Sequence, residues 1–237
     1  TGWTKSGSVW VKSNWATFFD ASPTHTKGAA DGTAENWQWI NPSYPLASYP
    51  DQVWIDNIPL KQVSSRSAVT TGTFYVDKSA MQLVIGSDPS SKRVDVSTLA
   101  EAMSIRSTDS VIRGIGVRRY ATSVPMMGSV TTYYNGVTLE NVMIVDNATT
   151  GLFIGSKNVT LRNVTLRNNG LLGMGANNAD NLKVESVFSM GNNSQYFNYG
   201  PVSGAMKITR SRQVSVQGSA FVNNFGHGPW FDESVYD

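Results

Sequence analysis

The residues best suited to chemistry stand together late in the chain, in Gly226-His-Gly-Pro-Trp-Phe-Asp-Glu-Ser-Val-Tyr-Asp237. Two adjacent carboxylates, Asp232 and Glu233, follow an indole, Trp230, and an imidazole, His227. A carboxylate can serve an acetal as nucleophile, charge stabiliser or proton donor. An indole face stacks on sugar C–H groups. Side chains alternate across a strand, so Trp230 and Asp232 share one face and Phe231 takes the other. If Phe231 enters a core, Trp230 and Asp232 point outward together. The reverse would bury an unpaired carboxylate, which is costly. The expectation is therefore an outward Asp232 as a reacting group, Trp230 as sugar platform and His227 as a polar contact. Glu233 shares the face of Phe231 unless a turn after Asp232 frees it. The plainer alternative is that both carboxylates cap a strand end and bond turn amides, with His227 in a loop.

A rival chemistry uses nearby cations. Lys207 and Arg210, in Lys207-Ile-Thr-Arg210, stand one repeat earlier. They could supply the base and the charge neutralisation for β-elimination from a uronate polymer. Tyr196 and Tyr199, in Tyr196-Phe-Asn-Tyr-Gly-Pro201, are candidate sugar contacts. With Phe197, Trp15, Trp37 and Trp39 they could wall a cleft; alternatively the tryptophans form the core of a small N-terminal unit.

Composition narrows the partners. Over 237 residues, 19 Lys+Arg against 17 Asp+Glu leave a net charge of +2. That balance argues against nucleic acid, an anionic membrane surface or a strongly anionic substrate as partner. Cysteine is absent, which removes disulfides, thiolate metal sites and a cysteine nucleophile. Two histidines, His25 and His227, are too few for a three-histidine zinc site. Asp146 and Asp180 are too isolated to build a calcium cage, so no cofactor and no metal are expected. No apolar run approaches the roughly 20 residues that cross a bilayer.

The elements that position these groups are written as a repeat. Val137-Thr-Leu139-Glu-Asn-Val142-Met-Ile144 has counterparts starting at Val159, Leu182 and Val214, at steps of 22, 23 and 32 residues. A weaker copy is Val111-Ile-Arg-Gly-Ile115-Gly-Val117. Apolar residues at offsets 0, 2, 5 and 7, with a polar or small one at 4, describe two short strands joined by a tight bend. The period is too short for a βαβ unit of about 30 residues or more, and fits one turn of a parallel solenoid. Ten residues into each copy stands an asparagine: Asn147, Asn169, Asn192 and Asn224. Stacked coils would align them as a side-chain amide ladder. Asn also tolerates the left-handed backbone of a solenoid corner.

The first hundred residues lack this template. Six of the seven tryptophans lie there: Trp3, Trp10, Trp15, Trp37, Trp39 and Trp54. Strand-like runs Gln52–Asp56, Gly72–Asp77, Met81–Ile85 and Val94–Val96 are separated by turn signals at Asp56-Asn57 and Asp77–Ala80. Thr98-Leu-Ala-Glu101 reads as a capping box opening a short helical turn.

From about Ile105 to Asp237 the repeats resemble the right-handed parallel β-helix proteins of the pectate-lyase-like class. The Val53–Val63 stretch, V-W-I-D-N-x-P-L-x-Q-V, with the Gly72–Asp77 and Leu83–Ile85 strands, resembles a small β-unit inserted among early coils of secreted β-helix glycosidases of the β-xylosidase type. Gly228-x-Trp230-x-Asp232 is similar to the strand that carries their nucleophilic aspartate. The resemblance implies an all-β chain, with residues 1–104 as a Trp-rich loop and a small β-sandwich-like insertion and residues 105–237 as β-helix coils. It implies a glycoside hydrolase, secreted or at the cell surface or in the periplasm, acting on a plant or microbial polysaccharide or oligosaccharide. The acid/base carboxyl would lie in a coil after Asp237, and further coils would precede Thr1. The chain is thus expected to be part of a longer solenoid, its remainder continuing the same protein or held as a second chain. A polysaccharide lyase and a non-catalytic glycan-binding adhesin solenoid remain the alternatives.

Overall fold

The structure, a computed structural model, describes residues 2–21 and 38–237. His25 and Trp37 lie outside the described residues. The chain winds into a right-handed parallel β-helix with three parallel sheets along its length. The longest sheet has six strands, one per coil: Met103–Ile105, Val130–Thr132, Thr150–Ile154, Leu172–Asn177, Gly204–Thr209 and His227–Asp232. The repeat template forms the other two sheets, as in Thr138–Glu140 and Met143–Val145, which stack on Thr160–Arg162 and Thr165–Arg167 without register slip.

Backbone conformation explains why the template has its period. Each coil bends at three positions where φ is positive. One column is Gly136, Asn158, Asn181 and Gln213, with φ of 79, 57, 58 and 55°. The next is Asn141, Asn163, Ser186 and Gly218, and the third is Asp146, Asn168, Gly191 and Asn223. The left-handed region costs an ordinary residue about 1–2 kcal/mol, and Gly, Asn and Asp least. Hence polar or small residues recur at these points. The buried asparagines of the ladder sit one residue after the third column, so amide bonding and not left-handed backbone accounts for them.

That ladder is present. Asn147 Nδ2 donates to Asn169 Oδ1 at 2.9 Å, Asn169 Nδ2 to Asn192 Oδ1 at 3.0 Å, and Asn192 Nδ2 to Asn224 Oδ1 at 2.9 Å. Inside the coils, Leu139, Leu161 and Val184 form one column of the core and Ile144 and Leu166 another, all buried. Outside, Arg113 pairs with Glu140 at 2.9 Å and Arg162 with Glu185 at 3.2 Å, so vertical neighbours carry opposite charge. Coils approach so closely that a Cβ on Gly170 would run into the Ala148 carbonyl. Gly170→Ala should therefore destabilise the protein by about 1–3 kcal/mol, the usual cost of overpacking. A urea midpoint equal to that of the parent would contradict this.

The N-terminal residues form a separate antiparallel sheet of Thr4–Ser6, Val9–Ser13, Gln82–Ile85 and Thr73–Asp77, with Lys61–Gln62 added in parallel. Val53–Ile55 pairs with Ile58–Pro59 and Val94–Val96. The hairpin turn is Asp56-Asn57, at φ of 50 and 68°, as a two-residue turn requires. Trp3, Trp10 and Trp15 pack on the core of this unit. The helical turn expected at 98–101 is absent. Glu101 accepts from Thr131 Oγ1 at 3.1 Å instead of reaching back to cap a helix, and the Leu99 and Ala100 carbonyls accept from Ala121 N–H and Thr122 Oγ1. Bonds to the next coil hold this segment extended.

Asp95 joins the unit to the first coil. Arg119 Nη1 lies 2.6 Å from its carboxylate and Arg93 Nε 2.9 Å. The Arg93 hydrogen bond, with the charges of Arg93 and Arg119, holds Asp95 below the usual carboxylate range. Burial, with the Arg118 charge, draws Arg119 down from its ordinary value. Because the Asp95 value is depressed in the folded state, its stabilisation is complete above about pH 4 and is lost as the pH falls through the folded value. Asp95→Asn should remove about 1–2 kcal/mol at neutral pH, discounted for solvent, and flatten the fall of the unfolding midpoint in acid. An unchanged acid slope in the variant would assign that sensitivity elsewhere.

Candidate functional site

Register settles the facing of the last strand. Ile208 pairs with Phe231 in the column that holds Ile154 and Ala176, which belong to the core. Met206, also in the core, pairs with Pro229. Alternation then puts Trp230 and Asp232 on the outer face, above Lys207 and Thr209. This is the expected arrangement. Phe231 faces inward but is 48% exposed, because it lies on the terminal face of the sixth coil.

A continuous chain of side chains runs over this face. Tyr199 meets the His227 ring edge-on at 5.7 Å, and His227 lies 4.3 Å from the Trp230 ring centroid. Lys207 Nζ sits 3.9 Å from the Trp230 ring centroid and 3.0 Å from Asp232 Oδ2, and donates to the Pro201 carbonyl at 2.7 Å. Lys207 thus contacts a carboxylate, a carbonyl and an indole face, all as a cation. The Lys207 side chain is 15% exposed and that of Asp232 33%, so the pair is shielded yet reachable. The other carboxylate oxygen, Oδ1, accepts from the Glu233 N–H at 3.0 Å. Asp232 therefore has the turn-capping bond of the plainer alternative as well as an accessible, charge-compensated oxygen.

The remaining candidates fall elsewhere. Backbone turns left-handed at Glu233 and Ser234, with φ of 46 and 61°, and this releases Glu233 from the face of Phe231. Glu233 Oε2 lies 2.9 Å from Arg210 Nη2, with both side chains more than half exposed. Arg210 and Glu233 form a surface ion pair, separate from the Lys207–Asp232 pair. Tyr196 stacks on Tyr44 at 4.7 Å and tilts against Phe225 at 5.0 Å. Phe197 and Trp39 pack together with Leu171 and Leu172, and Trp15 packs on the N-terminal core, so these three contribute to packing.

Of the groups around a second cavity, sequence reasoning named only Tyr196 as a candidate contact. That cavity, about 550 Å³, lies between the N-terminal unit and the solenoid, where Tyr44, Tyr49, Asp51, Trp54 and Gln62 line it with Tyr196. Burial raises the Asp51 carboxyl above its ordinary value, against the Lys78 charge and a Gln62 hydrogen bond. The only signal for it was the aromatic and turn-rich composition before residue 60. Among the described residues no group of three or more His, Asp or Glu side chains is placed to hold a metal ion.

Comparison with known proteins agrees with this architecture. Residues 128–236 match the family described as "Right handed beta helix region". No curated protein matches the sequence. Among solved structures, "The complex structure of XylC with xylose" superposes with a TM-score of 0.59 at 10% identity, covering 94% of this chain and 50% of the XylC chain. This chain spans about half the length of that protein, and identity so low speaks for the fold alone. Stacked registers, the amide ladder and both comparisons lead to one identification: the chain is a right-handed parallel β-helix protein.

Proposed function

We infer that the chain is part of a carbohydrate-active enzyme, a glycoside hydrolase in which Asp232 attacks or stabilises the sugar cation. The observation that carries this reading is the outward Asp232 carboxylate, 3.0 Å from Lys207 Nζ and two strand positions beyond a half-buried Trp230. Indole, imidazole and phenol rings in a row offer stacking surfaces, while the Lys207 ammonium pairs with the carboxylate. A similar overall fold in a protein whose structure was described with xylose supports neutral sugars as the substrate class. Glu233 is turned toward Arg210, so the proton donor in this reading is a different carboxyl. Secretion accompanies the proposal, since polysaccharides lie outside the cell.

The lyase alternative is less well supported. A lysine base must present a lone pair to the substrate, whereas Lys207 is engaged as a cation on three sides. A panel of aryl glycosides and neutral polysaccharides, assayed with the full-length protein, tests the reading. Release of aglycone or reducing sugar supports it. An unsaturated uronate product would replace it with the lyase, and inertness on every glycan would leave a binding solenoid.

A further inference from the structure

The cavity at the junction of the N-terminal unit and the solenoid is not lined by Lys207, His227, Trp230 or Asp232. Its volume, about 550 Å³, falls within the about 300–1,000 Å³ of small-molecule sites. Its walls come from distant parts of the sequence: Tyr44 and Tyr49 from the N-terminal loop, Trp54 and Gln62 from the small sheets, and Tyr196 from the insertion before the fifth coil. The Tyr44 and Tyr196 rings are already stacked at 25° to each other. Trp54 is buried and carries the Arg119 guanidinium 4.6 Å from its ring centroid, which holds the indole in place. Tyr44, Tyr49 and Tyr196 remain about two-fifths exposed. Such rings offer flat apolar faces with polar edges, the surface that pyranose C–H groups stack upon.

The cavity lining carries one cation, Lys61, one carboxylate, Asp51, and otherwise only uncharged hydroxyl, amide and apolar groups. Gln62 Oε1 is buried and has no hydrogen-bond partner among the described residues. A buried acceptor left unpaired is unfavourable, and calls for a ligand or water to satisfy it. Asp51 lies beside it, can accept from a hydroxyl in either protonation state, and is pressed toward the neutral form by burial. Gln52 is partly engaged, because its amide donates to the Asp146 carbonyl and accepts from Ser97. Aromatic faces beside hydroxyl and amide groups, with one charge of each sign in the lining, suit an uncharged polyol.

We propose that this cavity is a second, non-catalytic site for an uncharged oligosaccharide, with Tyr44, Tyr49 and Tyr196 stacking on ring faces and Gln62 Oε1 and Asp51 accepting hydroxyl protons. It rests on the carbohydrate reading for the class of ligand, and not on the chemistry of Asp232. The site holds a distant part of the chain that the Asp232 face acts on, or anchors the protein to its polymer.

Titration of the full-length protein with neutral xylo-, cello- and manno-oligosaccharides, followed by calorimetry in the Asp232→Asn background to prevent turnover, tests the proposal. Saturable binding is expected to survive Asp232→Asn. Tyr44→Ala and Gln62→Leu are each expected to weaken it by about tenfold. Tyr49→Ala, at an exposed ring, gives a third variant that threatens folding least, and unfolding midpoints show that each variant is native. Binding that vanishes with Trp230→Ala yet ignores Tyr44→Ala and Tyr49→Ala overturns the proposal, because the only sugar site is then the Asp232 face. Absence of saturable binding by any of these sugars, or binding of tetramethylammonium in their place, overturns it too. Binding at the cavity without turnover by the parent protein keeps this site and removes the hydrolase reading, so the two failures are distinct.

Discussion

Asp232→Asn is expected to lower turnover of the glycan substrate by about 10²- to 10³-fold, the range seen when one group stabilising transition-state charge is removed. The amide retains the shape of the carboxylate and can still accept from the Glu233 N–H. It cannot neutralise a developing oxocarbenium ion or form a glycosyl ester. Lys207, which lies 3.0 Å from the carboxylate, loses its counter-ion but keeps the Pro201 carbonyl and the Trp230 face. Folding should therefore be nearly unaffected, and the loss should fall on kcat and not on the unfolding midpoint. Glu233→Gln is the contrast. Its ion pair with Arg210 is solvent-exposed, and such pairs contribute about 0–1 kcal/mol. Turnover unchanged by Asp232→Asn would remove Asp232 from the reaction, and an equal loss from Glu233→Gln would exchange their roles.

The largest effect on stability is expected at the centre of the amide ladder. Asn169 is fully buried. Its Oδ1 accepts from Asn147 Nδ2 and backbone N–H, and its Nδ2 donates to Asn192 Oδ1 and the Ile144 carbonyl. Alanine at this position orphans several of those partners at once, in the buried interior of the coils. With about 1–3 kcal/mol for each unsatisfied buried group, and with partial relaxation, Asn169→Ala should cost about 3–5 kcal/mol. Asn163→Gly removes an amide that donates to Asn141 at 2.9 Å on the exposed surface, and glycine keeps the left-handed φ of 59°. Its cost should stay below about 1 kcal/mol, since water replaces the lost partner. Urea unfolding of both variants measures the difference. A midpoint for Asn169→Ala close to that of Asn163→Gly would show that the ladder is an alignment and not a support.

The outward facing of Trp230 and Asp232 is legible in the sequence, because strand alternation and the cost of a buried carboxylate leave one arrangement. The partner of Asp232 was less visible. In the sequence Lys207 reads as a base for a different reaction, and only the register Lys207↔Trp230 and Thr209↔Asp232 brings its ammonium across to the neighbouring carboxylate. Glu233 illustrates the reverse. Its separation from Asp232 depends on two consecutive left-handed residues, and nothing in the letters Glu-Ser demands that conformation. The helical turn expected at 98–101 failed for a related reason: a local capping pattern is weak beside backbone bonds offered by the adjacent coil.

What the amino-acid sequence determined by itself is the winding. Bends at recurring Asn, Asp and Gly, apolar pairs between them and an asparagine ten places into each repeat are local features, and their repetition makes vertical neighbours of residues some two dozen positions apart. The junction cavity was decided only by the tertiary structure. Tyr44, Asp51, Gln62 and Tyr196 share no period and no motif, and they meet because a non-repeating N-terminal unit packs on the side of the solenoid. Periodic order propagates through nearest neighbours and is legible from spacing. A contact between a repeat and a non-repeat depends on how two complete surfaces fit, and no short stretch of sequence carries that information.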